Sequence, residues 1–295
     1  MSRRGWVLFV AMGVIWGIPY LMIKVAVTEL EPAVLVLART GIGAAILLPV
    51  AAARKQLRPL LRYWRPLLAY TAVEICAPWL LLGYAERELT SSLTGLLIAA
   101  VPLVGAIMVH LLGDERLDRR RIFGLLVGMA GVGTLVGFDV SGSSAWSILA
   151  VGGVVIGYAA GPIILARRLG KLPALGVIAA SLAITAVVYT PASILQWPAE
   201  QLSTDVWLSV GGLAIICTAI AFFVFFQLIT EVGPARATVI TYINPAVALA
   251  LGVLILDEPF TAVTVLGFAM ILVGSVLATA KSRNTAGERV TVSAG

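Results

Sequence analysis

The chain has 295 residues, of which 60% are hydrophobic and only 12% are charged, and its mean hydropathy is +1.01. Soluble domains are roughly 45–50% apolar, so this chain has too little polar surface to cover a globule in water. The net charge is +6, but no basic run lies on a segment large enough to form a soluble nucleic-acid-binding domain. We therefore predict an all-α integral membrane protein that contacts membrane lipid and has no nucleic-acid partner.

Polar and turn-forming clusters divide the chain into ten apolar segments, each near the ~20 residues that a helix needs to cross a hydrocarbon core. Backbone amides in lipid must be satisfied within the segment, and the segments lack the alternation of a barrel strand, so we predict transmembrane helices. The predicted spans are residues 6–25, 33–53, 67–85, 91–112, 121–137, 147–166, 174–196, 206–230, 235–256 and 261–280.

The basic residues indicate the orientation of these spans. If the N-terminus is cytoplasmic, the 21 Lys and Arg residues all fall on the cytoplasmic side except Lys24, Arg39 and Arg87. Basic residues favour the side from which they need not be translocated. We therefore predict a multi-pass protein of the bacterial inner (plasma) membrane with both termini in the cytoplasm. Residues 282–295 are polar and predict a disordered cytoplasmic tail.

The chain contains an internal repeat with a constant offset of 143 residues, which relates Pro102 to Pro245. The same offset relates Pro19 to Pro162, Lys24 to Arg167, Asp114 to Asp257, Glu115 to Glu258, Gly124 to Gly267 and Gly131 to Gly274. Each unit holds five predicted spans, an odd number, so the second unit must enter the membrane from the opposite side. We predict two repeats, residues 1–143 and 144–281, with inverted topology. Inverted repeats recur in transporters that work by alternating access.

Short motifs along the chain resemble the EamA-type family of the drug/metabolite transporter (DMT) superfamily. The motifs are Trp16-Gly17, Arg39, Tyr84, Thr90-Ser91-Ser92, Pro102, Gly113-Asp-Glu-Arg-Leu, Gly124, Gly131, Pro245, Asp257-Glu-Pro and Gly267. The resemblance covers about residues 6–281. It implies secondary transport, commonly metabolite export and especially export of amino acids, through a central cavity lined by helices from both halves.

Glu74 departs from this family pattern, and we predict that it is the one acidic residue well inside a span. A buried carboxylate in hydrocarbon costs about 2.5 kcal/mol or more, so such residues usually face a cavity or a partner. Pro78 cannot donate to the Glu74 carbonyl and predicts a kink. Glu74 could bind a substrate ammonium or a proton, or it could stay neutral and bonded to a neighbouring helix. Arg39 lies about 10 Å away in height, so we expect it to bond carbonyls or extend towards the interface.

Four further prolines lie within spans: Pro19, Pro102, Pro162 and Pro245. Each frees the carbonyl four residues earlier, and breaks that match between repeats point to the binding region of a transporter. The polar and aromatic side chains near these breaks are Trp16, Tyr20, Tyr158, Tyr242 and Asn244. We predict that they line a substrate cavity with Glu74, although packing or interfacial anchoring is the competing interpretation for each aromatic residue. The glycines of the fifth and tenth spans are assigned to helix packing.

Other functional classes fit the sequence less well. A membrane-embedded enzyme needs convergent catalytic groups, whereas this chain has one histidine, His110, and one predicted mid-span acid. We therefore predict no enzymatic activity, no metal and no cofactor. A channel would show a polar pore ring and a receptor an output domain, and these classes remain the alternative. The chain has no Walker-type loop, which favours secondary transport of a small molecule. Proton coupling is chemically feasible, and a monomer and a homodimer are both compatible with the sequence.

Overall fold

The structure is a computed structural model that describes residues 2–113, 117–139, 144–233 and 237–279. Every regular element in these ranges is helical. In chain order we label them α1 (Arg3–Ile15 and Pro19–Ala26), α2 (Pro32–Ala53), α3 (Arg58–Tyr63, Trp64–Thr71, Ala72–Cys76 and Ala77–Glu88), α4 (Ser91–Ile98 and Val101–Leu111), α5 (Arg119–Asp139), α6 (Ala145–Ile164 and Leu165–Leu169), α7 (Ala174–Leu195), α8 (Thr204–Gly211, Gly212–Ile220 and Ala221–Val232), α9 (Thr238–Tyr242 and Asn244–Ile255) and α10 (Ala262–Thr279). The predicted tail, residues 282–295, lies outside the described residues.

Within the described ranges, nine helices are long and apolar enough to cross a membrane, and Val239–Ile255 forms a shorter apolar helix. Large apolar side chains such as Leu126, Leu149 and Leu208 are more than half exposed, as expected for a surface that contacts lipid. The predicted class, an all-helical multi-pass membrane protein, is therefore confirmed. The count of ten spans stays a prediction.

Each helix of the first half packs most extensively on one helix of the second half. The pairs are α1 with α8, α2 with α7, α3 with α6, α4 with α9, and α5 with α10. At the α5–α10 contact, a Cβ added to Gly124 would lie 2.7 Å from the carbonyl oxygen of Gly274. Backbones approach this closely only where the residues are small. The packing role predicted for the glycines of α5 and α10 is confirmed at this contact.

The helices are interrupted at positions that match between the two halves. Helix α3 contains the π-helical segment Ala72–Cys76, and α8 contains the π-helical segment Gly212–Ile220. Helix α4 is broken just before Pro102, and α9 is broken just before Pro245. Because π-helical segments inside α-helices are frequent at functional sites, these interruptions direct attention to the middle of the bundle.

The predicted break at Pro162 is wrong. Pro162 lies inside the uninterrupted helix Ala145–Ile164, whereas its repeat partner Pro19 begins a new helical piece after α1 is interrupted. The π-helical segment Leu165–Leu169 follows Pro162 directly. Proline is tolerated inside transmembrane helices where surrounding groups satisfy the freed carbonyl, so the presence of Pro162 does not by itself require a break.

The helix connections gather at two ends of the bundle, which we name by their charge. The basic end comprises residues 2–5, 54–57, 170–173 and 231–233, and there Arg4 donates to the side chain of Gln227 at 2.9 Å. The acidic end comprises residues 27–31, 86–91, 196–203 and 256–261.

Contacts between separate connections hold the acidic end together. Arg87 forms an ion pair with Glu31 at 2.8 Å. The Glu29 carboxylate accepts a hydrogen bond from the main-chain nitrogen of Ser203, also at 2.8 Å. The first of these contacts links α3 to the α1–α2 connection, and the second links that connection to the start of α8.

Candidate functional site

Arg39 is held in the middle of the bundle, where it is only 8% exposed. Its Nε donates to the hydroxyl of Thr218 at 3.0 Å, and its guanidinium carbon lies 3.6 Å from the centroid of the Trp79 ring. A desolvated cation–π contact is worth about 2 kcal/mol. The expectation that Arg39 bonds carbonyls or extends towards the interface is therefore wrong, because a hydroxyl and an aromatic ring from α8 and α3 surround it.

Glu74 lies in the π-helical segment of α3 and faces α6. It packs so closely on Gly161 that a Cβ added there would collide with the carboxyl group. The Oε2 atom is enclosed and has no hydrogen-bond partner among the described residues. Tyr70 and Tyr158 are close enough to interact with the carboxyl electrostatically. A carboxylate buried without a partner is unfavourable, so Glu74 is suited to receive a cationic group or a proton.

Tyr20 and Tyr158 join Arg39 to Glu74. Tyr158 interacts with Arg39 and Glu74 and lies close to the side chain of Trp79, while Tyr20 interacts with both Tyr158 and Arg39. The structure therefore brings three predicted site residues together with three that the sequence did not place there. We call this set the central cluster: Tyr20, Arg39, Glu74, Trp79, Tyr158 and Thr218.

Trp16 and Asn244 lie at a neighbouring helix contact. Trp16 packs on the rings of Phe222 and Phe225, with centroids 6.2 and 4.7 Å apart. The Asn244 amide, oriented to satisfy its neighbours, donates to the carbonyl oxygens of Ile240 and Gly13 at 3.0 and 3.1 Å. Asn244 thereby ties the break in α9 to α1.

Tyr242 is directed to another part of the molecule. Its hydroxyl lies 3.1 Å from the hydroxyl of Thr279, near the end of α10. This contact is exposed, which fits a packing or interfacial role for Tyr242 better than a place beside Glu74.

Several carbonyls at the helix interruptions are satisfied by hydroxyl groups from neighbouring helices. Ser275 of α10 donates to the carbonyl of Ala99 at the break in α4, at 3.3 Å. Tyr189 of α7 donates to the carbonyl of Cys76 just before Pro78, at 2.9 Å. These bonds satisfy backbone carbonyls at the interruptions of α4 and α3 and hold the interrupted helices in place.

Glu86 is a second acidic residue inside the bundle. It is 0% exposed, and neither carboxyl oxygen has a hydrogen-bond partner among the described residues. Glu86 lies near the end of α3, so Glu74 remains the one acidic residue predicted well inside a span, but the burial of this second acid was not predicted. The predicted third span ended at residue 85, whereas α3 continues to Glu88 because Lys24 donates to the carbonyls of Glu86 and Leu89 at 2.7 and 2.8 Å.

Glu258 bonds the start of α4 from the other half of the chain. Its carboxylate accepts hydrogen bonds from the main-chain nitrogens of Ser91 and Ser92 at 2.7 and 2.8 Å. The first amides of a helix lack partners within the helix, and a negative charge there is stabilised by the helix dipole. We call these three residues the Glu258 clasp, and they tie the start of α4 to the α9–α10 connection.

A cavity of about 310 Å³ opens at the basic end between α1, α2, α7 and α8. Its lining includes Arg4, Arg54, Phe223, Phe226, Gln227 and Glu231. Phe226 stacks on Phe222, which in turn contacts Trp16. A row of aromatic rings therefore continues from the cavity wall towards the interrupted part of α1.

Known proteins resemble this chain over nearly its full length. It is 29% identical over 284 residues to the protein named "Uncharacterized inner membrane transporter YedA" of Escherichia coli (strain K12), an alignment that covers 91% of this chain and 88% of that protein. It is 22% identical over 278 residues to "Uncharacterized transporter YvbV" of Bacillus subtilis (strain 168), covering 92% and 90%. A solved crystal structure superposes with a TM-score of 0.67 and 21% identity over 95% of this chain and 97% of that one, which supports the fold alone.

The EamA-like transporter family matches residues 3–137 and 145–280, which together make up most of the chain. The resemblance identified from the sequence motifs is confirmed by this match. The protein therefore belongs to the EamA-like transporter family and is a multi-pass membrane transporter.

Proposed function

We propose that this protein is a secondary transporter that exports a small polar metabolite, an amino acid or a related compound, by alternating access across the bacterial inner membrane. The observation that carries the proposal is the contrast between the two ends of the bundle. At the acidic end, the Glu258 clasp ties α4 to the α9–α10 connection, and the cavity there, about 260 Å³, is lined only by the α7–α8 connection and Trp207. At the basic end, a cavity of about 310 Å³ opens between helices of both halves. A pathway that opens to one side at a time is the requirement of alternating access.

The proposal includes ten spans in two inverted five-helix repeats, with Val239–Ile255 as the core of the ninth span. The helix pairing supports this arrangement. If each helix is replaced by its counterpart in the other half, α1 by α6, α2 by α7 and so on, every packed pair becomes another packed pair that the structure contains. The matched π-helical segments of α3 and α8 support it as well. A two-fold axis in the membrane plane would relate the two halves.

The distribution of charge supports an orientation with the basic end in the cytoplasm. Arg54, Lys55 and Lys171 lie there, and basic residues favour the cytoplasmic side. In that orientation both termini are cytoplasmic, and the cavity beside Arg4 and Phe226 opens to the cytoplasm. A cavity open to the cytoplasm is where an exporter would take up its substrate.

The central cluster supports a zwitterionic substrate. Arg39 and Glu74 carry opposite charges on different helices, and Tyr158 interacts with both. Among the described residues, neither side chain forms an ion pair. Buried charges without a partner of opposite charge are unfavourable, so a substrate that brings a carboxylate to Arg39 and an ammonium to Glu74 would stabilise both.

Exchange in proteoliposomes tests this proposal. Purified protein in liposomes loaded with unlabelled amino acids should take up labelled amino acids. Glu74→Gln should raise the KM for the best substrate roughly 10- to 100-fold, since a hydrogen bond to a charged group is worth about 1.5–3 kcal/mol. The same change should leave the KM for the deaminated analogue of that substrate unaltered. Glu200→Gln removes an exposed acid and serves as the control.

Two outcomes would contradict the proposal. The first is a folded, reconstituted protein that exchanges no amino acid or related compound. The second is a Glu74→Gln variant whose KM rises equally for the substrate and for its deaminated analogue, because Glu74 would then not contact the ammonium group.

A further inference from the structure

Lys24, Glu86 and Glu258 form a buried charged group at the acidic end that the proposed substrate site does not use. Glu86 is 0% exposed and Glu258 is 9% exposed. Both Lys24 and Glu258 are close enough to Glu86 to influence its charge. These three residues come from α1, α3 and the α9–α10 connection, so the group lies where both halves of the chain meet.

Lys24 does not satisfy the Glu86 carboxyl group. Its ammonium donates to the main-chain carbonyls of Glu86 and Leu89. Among the described residues, the ion pair within contact distance is Arg87 with Glu31, and both oxygens of Glu86 lack a hydrogen-bond partner. The enclosed carboxyl group therefore faces positive charge without being neutralised by it.

The charged and titratable groups that interact with Glu86 come from four elements. They are Lys24 and Tyr20 on α1, Arg39 on α2, Tyr158 on α6 and Glu258 on the α9–α10 connection. Tyr20, Arg39 and Tyr158 belong to the central cluster. Glu86 is therefore placed between the clasp at the acidic end and the proposed substrate site.

Closing the acidic end over an ionised Glu86 would be unfavourable for two reasons. An ion buried without a partner carries a desolvation penalty of several kcal/mol. The Glu258 carboxylate, which is fixed by the amides of Ser91 and Ser92, would add repulsion between like charges. A neutral carboxylic acid avoids both penalties.

We propose that Glu86 is the proton-binding site of the transporter and that it must be protonated before the acidic end can close. This inference rests on the proposed function. When the acidic end opens, water reaches Glu86, its proton passes to water, and the ammonium of Lys24 lies near the resulting carboxylate. When a proton returns from water to the carboxylate, the Glu258 clasp can close again.

A proton fits this site better than a metal cation. The Glu86 side chain is fully enclosed, and a proton neutralises it without adding volume. Lys24 and Arg39 already bring positive charge, which disfavours Na⁺ beside the same carboxyl group.

Infrared spectroscopy of the purified protein in lipid tests the protonation state without any substrate. The wild type at neutral pH should show a carbonyl stretching band of a protonated carboxyl group that Glu86→Gln removes. The control Glu88→Gln should keep this band, because the Glu88 carboxylate accepts hydrogen bonds from Ser144 and Ser147 at the same end. If Glu86→Gln does not fold, Glu86→Asp should shift the band instead. A band unchanged by every substitution at Glu86 would overturn the proposal.

Cysteine labelling tests the link between protonation and closure. In a protein whose Cys76 and Cys217 are replaced by alanine, Ser92→Cys places a thiol at a position that is 3% exposed in the closed end. The rate of labelling by a membrane-impermeant maleimide is divided by the rate for a free thiol at the same pH. This relative rate should fall several-fold as the pH is lowered from about 8 to about 5. Adding Glu86→Gln should make the relative rate independent of pH. A rate that responds to Na⁺ instead, or that keeps its pH dependence in the Glu86→Gln variant, would contradict the proposal. Neither the infrared band nor the labelling rate depends on whether amino acids are exchanged, so failure of the proposed function would be recognised separately.

Discussion

Helices α3 and α8 occupy corresponding positions in the two halves, and each contains a π-helical segment, but their chemistry differs. At the offset of 143 residues, Glu74 of α3 corresponds to Cys217 of α8, and Trp79 corresponds to Phe222. Cys217 is 1% exposed and packs in an apolar cluster with Leu213. The two halves therefore share an irregularity of the backbone, while the acid is confined to one of them.

The same contrast extends to the neighbouring helices. Arg39 of α2 corresponds to Leu182 of α7, a fully buried apolar residue. Pro78 of α3 corresponds to Ala221 of α8, so a proline is not required for the π-helical segment. In α8 the hydroxyl of Thr218 donates to the carbonyl of Leu213 at 2.8 Å, which satisfies a backbone acceptor of the widened turn. The repeated backbone thus supplies a frame in which one half can carry charge.

The largest loss of stability is expected when a substitution forces α3 and α6 apart. A Cβ added at Gly157 would lie 2.5 Å from the carbonyl oxygen of Val73 and 2.7 Å from Cγ of Pro78, and the Val73 oxygen cannot move without shifting the backbone of α3. Gly157→Ala should therefore destabilise the protein by about 3 kcal/mol, the upper part of the range for overpacking. Denaturant unfolding in detergent measures this loss.

Gly152→Ala is the matched control for that experiment. Gly152 lies on the same helix, and a Cβ there would meet no atom within 4 Å. Alanine is favoured over glycine in a helix interior by roughly 0.5–1 kcal/mol, so this variant should be as stable as the wild type or more stable. Equal destabilisation by both substitutions would show that α3 is not fitted against α6 in the way described.

A smaller loss of stability is expected when the contact between Arg39 and α8 is removed. Thr218→Val keeps the shape of the side chain but removes the hydroxyl that accepts from Arg39, so stability should fall by about 1–2 kcal/mol. Thr190→Val is the control, because the exposed Thr190 hydroxyl bonds only within its own helix, and its effect should stay within about 0.5 kcal/mol.

The double variant Arg39→Leu, Thr218→Val sharpens this test. This variant replaces Arg39 by the residue type that α7 carries at the corresponding position, Leu182. If Arg39 and Thr218 interact directly, the two substitutions should be less destabilising together than the sum of their separate effects. Strict additivity in thermal unfolding would contradict the contact.

Most of the fold could be predicted because the bilayer restricts the choices. A segment of sufficient length and hydropathy must be a helix, and the close glycine contacts of α5 with α10 follow from small residues in repeated positions. The boundary of α3 was predicted too early because Glu86, Arg87 and Glu88 lower the local hydropathy. In the folded chain, Lys24 bonds the carbonyls there and the helix continues.

The candidate site was harder to predict because its contacts join residues far apart in the chain. Glu74, Tyr20 and Tyr158 could be proposed from the sequence because polar side chains are rare in the spans. Trp79 and Thr218 carry no signal of their own, since their role arises only when α2, α3 and α8 approach one another. The capping role of Glu258 was missed for the same reason, since its partners are amides 166 and 167 residues away.

The smallest expected effect lies at the acidic end, where the α1–α2 connection of the first half contacts the start of α8. Hydrogen bonds from Ser203 hold the pKa of the Glu29 carboxyl below its usual value. A lowered pKa in the folded protein means that this contribution to stability is present above the usual pKa, near 4.3, and is lost as the pH falls through the folded value. Thermal unfolding of Glu29→Gln should therefore show a slightly lower midpoint than the wild type at neutral pH and no difference in acid. The control Glu200→Gln, which changes an exposed acid on the α7–α8 connection, should have the wild-type midpoint both at neutral pH and in acid. If the difference in midpoint between Glu29→Gln and the wild type grew as the pH was lowered, its sign would contradict this contact.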